Sequence, residues 1–346
     1  MLLIAPEPTS KKVYDFDKFW QFFPVSRPTK EAVKTILFSL FPFLFRNWAV
    51  YDNWKNASTF SPEGFSLFSG TFLSGLGKNS EQIRIPVSLS PDNMHMGDSK
   101  LAIVIHAFYP DVFGEMIRLI DFNGCETGLF ITTSTENHDQ ISGIVSELPI
   151  PSTILTVENR GRDILPFLEI LPQVIRGKYD IVLKLHTKKS NHLNRREHWR
   201  HDLLNKLASK EAIEHSLAVF QKFPEIGMIG PAGHILPMHL YYGANAQTVL
   251  ALANGMGIHP SKLHGLCFAA GSMFFARTAV LKPVLDLGLT VDQFETEAGQ
   301  VDGTLAHSVE RAFALGLIKT GTFLADTDFP ENGGLLTVNR NHYFTV

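Results

Sequence analysis

Cysteine and net charge are both scarce in this sequence. Two cysteines, Cys125 and Cys267, occur among the 346 residues, each in apolar surroundings. They indicate small buried hydrophobic side chains in a reducing compartment rather than a disulfide framework. The formal net charge is −3 and charged residues make up 19% of the chain, so no charge imbalance indicates a nucleic-acid partner. Hydrophobic residues reach 45%, which predicts a globular protein.

Long apolar runs are also lacking. The one stretch that suggests a membrane segment, "KTILFSLFPFLFRNWAVY" at residues 34–51, has an apolar centre about half as long as a membrane span requires, and Pro42 interrupts it. A buried helix pair and an element lying on a membrane surface both fit this stretch, and we expect it not to span the bilayer. The first residues lack the basic start, apolar run and cleavage site of a secretory signal, so we expect none.

Several motifs of large enzyme classes are missing. Neither a P-loop nor G-x-G-x-x-G occurs, which disfavours nucleotide-binding folds that depend on a Gly-rich phosphate loop. The "AAGSMF" segment around Ser272 lacks the G-x-S-x-G elbow of serine hydrolases. His192, His198 and His201 are closely spaced, but no H-E-x-x-H and no cysteine at ligand spacing accompany them. A zinc site is therefore not expected.

The character of the chain changes near residue 98. Residues 1–97 are aromatic-rich with scattered proline and glycine, and they predict an N-terminal extension that lies near a membrane in one interpretation. From Leu101 onwards, strand-like apolar runs alternate with helical spacing of apolar residues: "LAIVIHAF", "GLFITTST", "STILTVEN" and "YDIVLKLH" are the predicted strands. This alternation predicts an α/β domain over residues 98–346, with a Rossmann-type, mostly parallel sheet flanked by helices.

The second half continues this pattern. We expect "EAIEHSLAVFQKF" to form a helix, "IGMIGP" a strand, "LCFAAGSMFFAR" one strand and "DGTLAHSVERAFALGL" one helix. Residues 233–260, rich in Gly, His and Tyr, predict a long loop that contains a helix. Two aspartates, Asp111 and Asp302, stand where helix N-caps are expected.

Polar residues follow each predicted strand of the first half. His106 ends the first strand, Thr132 and Thr133 end the second, "ENRGRD" follows the third and "KLHTKKS" the fourth. Because parallel strands end at one edge of a sheet, these loops should form one ligand pocket. The pocket should be cationic and suited to a diphosphate, with these basic residues: Arg160, Arg162, Lys184, His186, Lys188 and Lys189.

The segments "NRGRDILPFL", "LKLHTKKS", "GMIGP", "AAGSMFFAR" and "QVDGTLAHSVER" occur in this order and resemble the rhamnan synthesis F family, over roughly residues 100–325. That family is regarded as glycosyltransferases of bacterial surface polysaccharides, commonly linked to rhamnose from a dTDP-sugar. The order of elements is also similar to GT-A glycosyltransferases, which implies a GT-A-like fold. The predicted pocket and this resemblance together indicate a set of donor-binding candidates: His106, Thr132, Thr133, Asn159, Arg160, Arg162, Asp163, Lys184, His186, Lys188, Lys189, Gly271, Ser272, His307 and Arg311.

The strand that in GT-A enzymes ends in the metal-binding Asp-x-Asp ends here in Lys-Leu-His-Thr-Lys-Lys. We hypothesise that fixed cations, among them Lys184, His186 and Lys188, replace the metal, so no divalent cofactor is expected. These residues could instead bind an anionic acceptor or face solvent. "DTDF", the one literal Asp-x-Asp match, lies too late in the chain to serve.

An inverting transfer also needs a general base. By position in the GT-A order, Asp302 is the first candidate and Glu295 the next, with Glu297 behind them. A helix cap without a catalytic role is the competing interpretation of Asp302. His307 and Arg311 share one helix face and would address a phosphate or the sugar, or form a structural pair.

The sequence thus predicts a hexosyltransferase that moves rhamnose or another deoxyhexose from a nucleotide-sugar, with a dTDP-sugar favoured. The acceptor would be a lipid-linked or polysaccharide chain, the metal would be unnecessary, and no nucleic acid would be involved. A cytoplasmic location, peripheral at the inner face of the plasma membrane, fits this role. A sugar-phosphate transferase and a non-catalytic glycan-binding module are the alternatives.

Overall fold

The computed structural model describes residues 25–60, 79–87, 99–122, 126–187 and 194–341. Side chains are described throughout these stretches except at residue 60 and residues 194–199. The strands are β1 (Ser80–Arg84), β2 (Leu101–His106), β3 (Thr127–Thr133), β4 (Ser152–Thr156), β5 (Ile181–His186), β6 (Ile226–Gly230), β7 (Ile235–Pro237), β8 (Cys267–Ala269), β9 (Phe274–Arg277), β10 (Phe323–Asp326) and β11 (Leu335–Asn339).

The helices lie mainly between these strands. They are α1 (Arg27–Leu40), α2 (Pro42–Phe45), α3 (Ala49–Phe60), α4 (Pro110–Leu119), α5 (His138–Ser146), α6 (Ile164–Arg176), α7 (Asn194–Ala208), α8 (Lys210–Lys222), α9 (Ala246–Gly255), α10 (Thr278–Leu285), α11 (Leu305–Ala312) and α12 (Leu315–Thr320).

A seven-stranded sheet forms the centre of the described structure, in the order β10-β6-β9-β5-β2-β3-β4. Neighbouring strands are parallel except at β9, which is antiparallel to both β5 and β6. The predicted Rossmann-type α/β fold with a mostly parallel sheet is confirmed. Because β9 runs the other way, it begins at the edge where β2, β3, β5 and β6 end. That edge is therefore reached from strand ends and from the turn before β9.

The apolar runs of the sequence explain which strands are central. All six residues of β5 and the first five of β2 are buried, as expected for strands covered on both faces. Strand β4 lies at the sheet edge and is half exposed. Helix α6 covers β2 and β3 with a broad apolar face, and it continues through Pro172.

Three local predictions were wrong. Tyr109 rather than Asp111 is the N-cap residue of α4, and Asp111 lies in the first turn. The segment predicted as one strand divides into β8 and β9, and the segment predicted as one late helix divides into α11 and α12. In each divided segment the apolar pattern continues across the break, so periodicity alone does not locate the turn.

The described parts of the predicted N-terminal extension pack against the second half of the chain. Strand β1 pairs antiparallel with β11, and Arg340 Nη1 lies 2.9 Å from Glu81 Oε2. Arg27 donates from Nε to the carbonyl oxygen of Leu240 at 3.0 Å and lies 4.3 Å from the centre of the Tyr241 ring. Helix α3 contacts α9. The extension thus rests on the insert between β6 and β9, which contains α9 as predicted.

The remaining cysteine and membrane predictions have these outcomes. Cys267 is buried and free, and burial raises the pKa of its thiol to about 12. Cys125 lies outside the described residues. Within the described stretches, none of the helices combines the length and the apolar character needed to cross a bilayer.

Candidate functional site

Polar side chains from three neighbouring strands meet at the edge where the strands end. His106 of β2 is aligned with Thr132 of β3 and with His186 of β5. His106 Nδ1 lies 2.9 Å from the Thr132 hydroxyl oxygen, and the Thr133 hydroxyl donates to the carbonyl oxygen of Ala107 at 2.8 Å. The structure brings these predicted residues together, and their contact with a nucleotide stays a prediction.

Lys184 in β5 is a buried cation whose donors point at acceptors of the protein. Its side chain is 1% exposed, and its Nζ lies 2.5 Å from Asp163 Oδ2. The same ammonium donates to the carbonyl oxygen of Ser272 at 2.9 Å and to its hydroxyl oxygen at 2.7 Å. An ammonium has three N–H groups, and these three acceptors use them all. Lys184 therefore neutralises Asp163 and fixes Ser272, which does not agree with a direct contact to a leaving diphosphate.

The charges of this cluster shift the pKa values of its members. Burial alone would raise the pKa of Asp163, but the charges of His186 and Lys184 outweigh burial and hold that pKa well below its ordinary range. Asp163 is therefore a carboxylate at neutral pH. Burial lowers the pKa of His106 to about 4, against the opposing charge of Asp163 and with additional lowering by His186 and Lys184. His106 is therefore a neutral imidazole at neutral pH.

Gly271 and Ser272 lie in the turn between β8 and β9, and the prediction that placed them within a strand was wrong. Both have positive φ angles, 83° at Gly271 and 57° at Ser272. Arg162, the residue before Asp163, also has a φ of 57°. Strained non-glycine backbone is concentrated at functional sites. Its occurrence on both sides of the Asp163–Lys184 pair therefore supports a functional role for this edge.

Glu310 of α11 joins this turn to the late helix, although it was not among the predicted site residues. Gly271 N donates to Glu310 Oε1 at 2.8 Å, and His186 Nε2 donates to the Gly271 carbonyl oxygen at 2.8 Å. Arg311 Nη1 lies 4.0 Å from Glu310 Oε2, and Arg311 Nη2 lies 3.9 Å from Asp302 Oδ1. A continuous series of contacts therefore links Asp302 to His186 and gathers the late helix and the strand ends around one site.

The loop of residues 159–163 binds the segment that precedes α11. Arg160 Nη2 donates to the Thr296 hydroxyl at 3.1 Å, and the backbone N of Arg162 donates to Glu297 Oε1 at 3.1 Å. The Arg162 guanidinium also donates to the carbonyl oxygen of Gln300. Both arginines therefore hold two loops together, a role that the sequence did not predict for them.

Asn159 and Gly161 have different positions in this loop. Asn159 is exposed, so its side chain is accessible to a ligand. Gly161 is buried with a φ of 66°, and a Cβ there would lie 2.6 Å from the Leu165 Cβ and 2.7 Å from the Phe294 ring. Only glycine allows this backbone to turn and to approach both side chains so closely.

Asp302 is a partly exposed carboxylate held by the turn at Gly243. Its side chain is 36% exposed. Its Oδ2 accepts from Ala244 N at 3.0 Å, and its Oδ1 accepts from Asn245 Nδ2 at 2.6 Å. Burial alone would raise its pKa, but the charge of Arg311 and these hydrogen bonds outweigh burial and hold the pKa below its ordinary value. Asp302 is therefore ionised, oriented and open to solvent on one side.

The start of α11 is capped by other residues, so the prediction of Asp302 as the cap was wrong. Thr304 is the N-cap residue, and its hydroxyl oxygen lies 2.7 Å from His307 Nδ1 in a capping box. Both carboxylate oxygens of Glu295 accept from the backbone N of Leu305, at 2.9 and 3.2 Å. Glu295 and His307 thus stabilise the start of the helix, and neither oxygen of Asp302 takes part in the cap.

Arg311 contacts the protein on several sides. Its Nε donates to the Tyr241 carbonyl oxygen at 2.7 Å and its Nη1 donates to the His307 carbonyl oxygen at 2.6 Å. Its guanidinium lies 5.3 Å from the centre of the Phe268 ring. Arg311 therefore fixes α11 against the insert. Of the predicted cationic group, Lys188 and Lys189 lie outside the described residues.

A separate cleft of about 200 Å³ lies at the opposite edge of the sheet, where β2 and β3 begin. It is lined by Ser99, Asp121, Thr127 and residues of α8, and Nζ of Lys210 in its lining lies 3.2 Å from Asp121 Oδ2. Pockets for drug-sized ligands usually measure about 300–1,000 Å³. This cleft is smaller and distant from the strand ends, so we place the candidate site at the carboxyl edge.

Two comparisons with known proteins gave matches to this chain. The family model described as rhamnan synthesis protein F matches residues 86–319. Two proteins of Xanthomonas campestris pv. campestris strains, both described as "Uncharacterized protein WxcX", are 36% identical over 219 residues. The matched region covers 63% of this chain and 31% of each relative, so the chain spans about a third of their length.

Proposed function

This chain belongs to the rhamnan synthesis protein F family, and from that premise we propose that it transfers a sugar to a growing bacterial cell-surface polysaccharide. Membership of this family indicates a role in polysaccharide biosynthesis. We propose a nucleotide-diphosphate donor, with a dTDP-sugar carrying rhamnose or another deoxyhexose favoured, and a lipid-linked or polysaccharide acceptor. The proposal concerns this chain alone, because the relatives are much longer.

The series of contacts from Asp302 to His186 is the observation that carries this proposal. It joins the partly exposed carboxylate at the start of α11 to the strand ends through Arg311, Glu310 and Gly271. In open α/β sheets, ligands bind outside the carboxyl ends of the strands. A donor lying across β2 and β3 would therefore have an ionised carboxylate within the same site.

The proposed reaction is one inverting displacement. The acceptor hydroxyl oxygen forms a bond to the anomeric carbon, while the bond from that carbon to the diphosphate oxygen breaks. The diphosphate leaves with the electron pair, and Asp302 takes the proton of the acceptor hydroxyl. Hydrogen bonds from Ala244 and Asn245 orient the carboxylate for this step, and its lowered pKa keeps it ionised.

We further propose that protein cations replace a divalent metal at the leaving diphosphate. Lys188 and Lys189 are assigned this contact, because Lys184 is already bound to Asp163 and Ser272. Lys184 is then a positioning residue, which fixes the loop before α6 and the turn before β9. This division of roles replaces the direct role that the sequence suggested for Lys184.

Calorimetric titration with dTDP and UDP, each with Mg²⁺ and then with EDTA, tests the donor site. We expect dTDP to bind equally in both conditions and Lys188→Ala to weaken binding roughly tenfold, as expected for loss of a charge-assisted contact. Lys282→Ala, an exposed lysine on α10 that pairs with Asp286, serves as the matched control. Binding that requires Mg²⁺ would contradict metal independence. Failure of both nucleotides to bind would favour the glycan-binding alternative.

Release of dTDP from dTDP-rhamnose in the presence of bacterial membrane glycolipid tests the base. We expect Asp302→Asn to lower turnover roughly 10²–10⁴-fold while dTDP affinity is unchanged. Asp292 is an exposed carboxylate that accepts a hydrogen bond from Thr290, and Asp292→Asn should retain turnover as the matched control. If Glu310→Gln abolishes turnover and Asp302→Asn does not, the base is Glu310 instead.

A further inference from the structure

The end of α1 and the short helix α2 expose an unusual concentration of large apolar side chains. Within the described residues, nine large hydrophobic side chains are exposed, and five of them lie within residues 36–44. We call these five the apolar tip: Ile36 (40% exposed), Leu40 (58%), Phe41 (42%), Phe43 (64%) and Leu44 (57%). Single exposed apolar residues are ordinary, whereas a contiguous group marks an interaction surface.

The apolar tip is held outward by a packed aromatic cluster behind it. Phe38 is fully buried, and its ring lies 4.8 Å from Phe45, 5.3 Å from Tyr51 and 5.5 Å from Trp54, centre to centre. Trp54 Nε1 also donates to the hydroxyl oxygen of Thr35 at 3.1 Å, which ties α3 to α1. Because this side of the helices is already occupied, the apolar tip cannot turn inward without breaking the cluster.

The described segment that carries the apolar tip, residues 25–60, has more basic than acidic residues. No charged residue occurs between Lys34 and Arg46, and Arg46 is exposed. Residues 25–60 contain five basic and two acidic side chains, although the whole chain has a formal net charge of −3. Glu31, one of the two acidic residues, pairs with Lys34 at 2.8 Å. Apolar and aromatic side chains beside basic ones are the composition of surfaces that bind anionic lipid.

We propose that the apolar tip docks the protein on an anionic membrane surface, with Phe43, Leu44 and Leu40 inserted at the boundary between headgroups and acyl chains. Arg46 then lies at the level of the phosphates. A second copy of the chain is the less suitable occupant, because two such surfaces would bring like charges together. The uncharged apolar tip suits the acyl chains of a lipid surface, and the basic residues that flank it in sequence suit the phosphates.

Docking in this way would also orient the insert between β6 and β9. Helix α1 contacts residues 238–240, and Arg27 binds Leu240 and Tyr241. Ala244 and Asn245, a few residues further along the same insert, donate hydrogen bonds to Asp302. The apolar tip and the Asp302 carboxylate are therefore attached to the same insert, which suits an acceptor that is itself anchored in lipid. The proposal for the apolar tip does not require the proposed transferase activity.

Sedimentation of the purified full chain with unilamellar vesicles tests this proposal without any sugar donor. Phosphatidylcholine vesicles, with and without phosphatidylglycerol, separate apolar insertion from charge attraction. We expect binding to the phosphatidylglycerol vesicles. We expect the double variant F43E/L44E to lower the partition coefficient tenfold or more, because the loss should be at least the free energy of burying roughly one large apolar side chain. Arg46→Gln should lower it roughly fivefold, as for one basic residue near an anionic surface.

Leu119→Glu is the matched control, since Leu119 is 43% exposed and lies on α4 outside the apolar tip. It should bind vesicles like the unmodified chain. Equal thermal midpoints of F43E/L44E and Leu119→Glu would show that the double variant is folded. The proposal is overturned if the unmodified chain stays in the supernatant with both vesicle types, or if F43E/L44E binds as tightly as the control. It is also overturned if light scattering finds a dimer that F43E/L44E dissociates while vesicle binding is absent, because the occupant is then a second copy.

Discussion

Two aspartates of the candidate site, Asp163 and Asp302, are both ionised but stand in opposite environments. The Asp163 side chain is 16% exposed and pairs with Lys184, which is 1% exposed. The Asp302 side chain is 36% exposed and is held by neutral donors, with the Arg311 charge 3.9 Å away. In the first case a full charge is neutralised inside the protein. In the second a charge is oriented and left accessible.

This difference separates positioning from chemistry. A buried ion pair gives little net stability, yet it makes each partner indispensable to the other. An accessible carboxylate contributes little to folding, because solvent screens it, but it can accept a proton from a ligand. The same change of aspartate to asparagine should therefore lower mainly the stability at Asp163 and mainly the turnover at Asp302.

The largest effect is expected at Asp163. Asp163→Asn leaves the buried ammonium of Lys184 without its counter-charge, so the free energy of unfolding should fall by about 3–5 kcal/mol. Urea unfolding followed by circular dichroism measures this loss. The double variant Asp163→Asn with Lys184→Met, which removes both charges, should recover part of it. A loss below about 1 kcal/mol at Asp163 would contradict the distinction drawn between the two aspartates.

A smaller loss is expected at Gly243, which supports Asp302. Gly243 has a φ of 55°, and a Cβ there would collide with the Asp302 carboxylate. Gly243→Ala should lower the free energy of unfolding by about 1–3 kcal/mol and move Asp302 away from Ala244. Gly257→Ala is a suitable control, since it shares a positive φ of 68° but has open space around its Cβ. Equal losses in the two variants would mean that the contact with Asp302 is unimportant.

The pH dependence of stability tests the buried titratable groups of the site, His106 and Asp163. The pKa of His106 is lowered from 6.5 to about 4 by burial, so the unfolded chain takes up this proton at higher pH than the folded chain. Stability should therefore fall by about 1–3 kcal/mol as pH decreases from about 6.5 to about 4. Asp163, whose pKa is also lowered, adds its own loss at lower pH, below the ordinary pKa of a carboxyl group.

The His106 contribution can be isolated by substitution. His106→Gln keeps a hydrogen-bonding side chain near Thr132 but cannot be protonated in this range. Thermal midpoints measured between pH 7 and pH 4 should change less steeply for this variant than for the unmodified chain. Parallel curves would show that His106 does not titrate differently in the folded and unfolded states.

The smallest effect on stability is expected at Asp302. Asp302→Asn keeps one oxygen acceptor and loses the hydrogen bond at the other oxygen, so the free energy of unfolding should fall by only about 1 kcal/mol. Its effect on turnover should be far larger. A loss of stability as large as that of Asp163→Asn would place Asp302 among the structural residues and remove it as the base.

The sequence predicted the fold more completely than the site. Continuous apolar runs with helical segments between them sufficed for β2 to β5, and the parallel order brought His106, Thr132 and His186 to one edge. The sequence did not show the pairing of Lys184 with Asp163, because Asp163 lies 21 residues earlier and follows another strand. Such pairing depends on the order of strands in the sheet, which periodicity does not give.

Glu310 shows another limit of sequence reasoning. It lies three residues after His307 on α11, so helical spacing could have placed it on nearly the same face as that predicted residue. Its contact with Gly271 required knowledge that the segment before β9 turns back towards α11. The apolar pattern does not locate this turn, because "AAGSMFF" is apolar on both sides of it.

The ribbon of β1 and β11 has a consequence for the order in which the chain can fold. Glu81 and Arg340, which join the two strands by a salt bridge, are 259 residues apart in sequence. Contacts of such separation form late, because the loop between them must first be closed. During synthesis, the N-terminal helices and their apolar tip are therefore made long before β11, the strand that completes the pairing with β1.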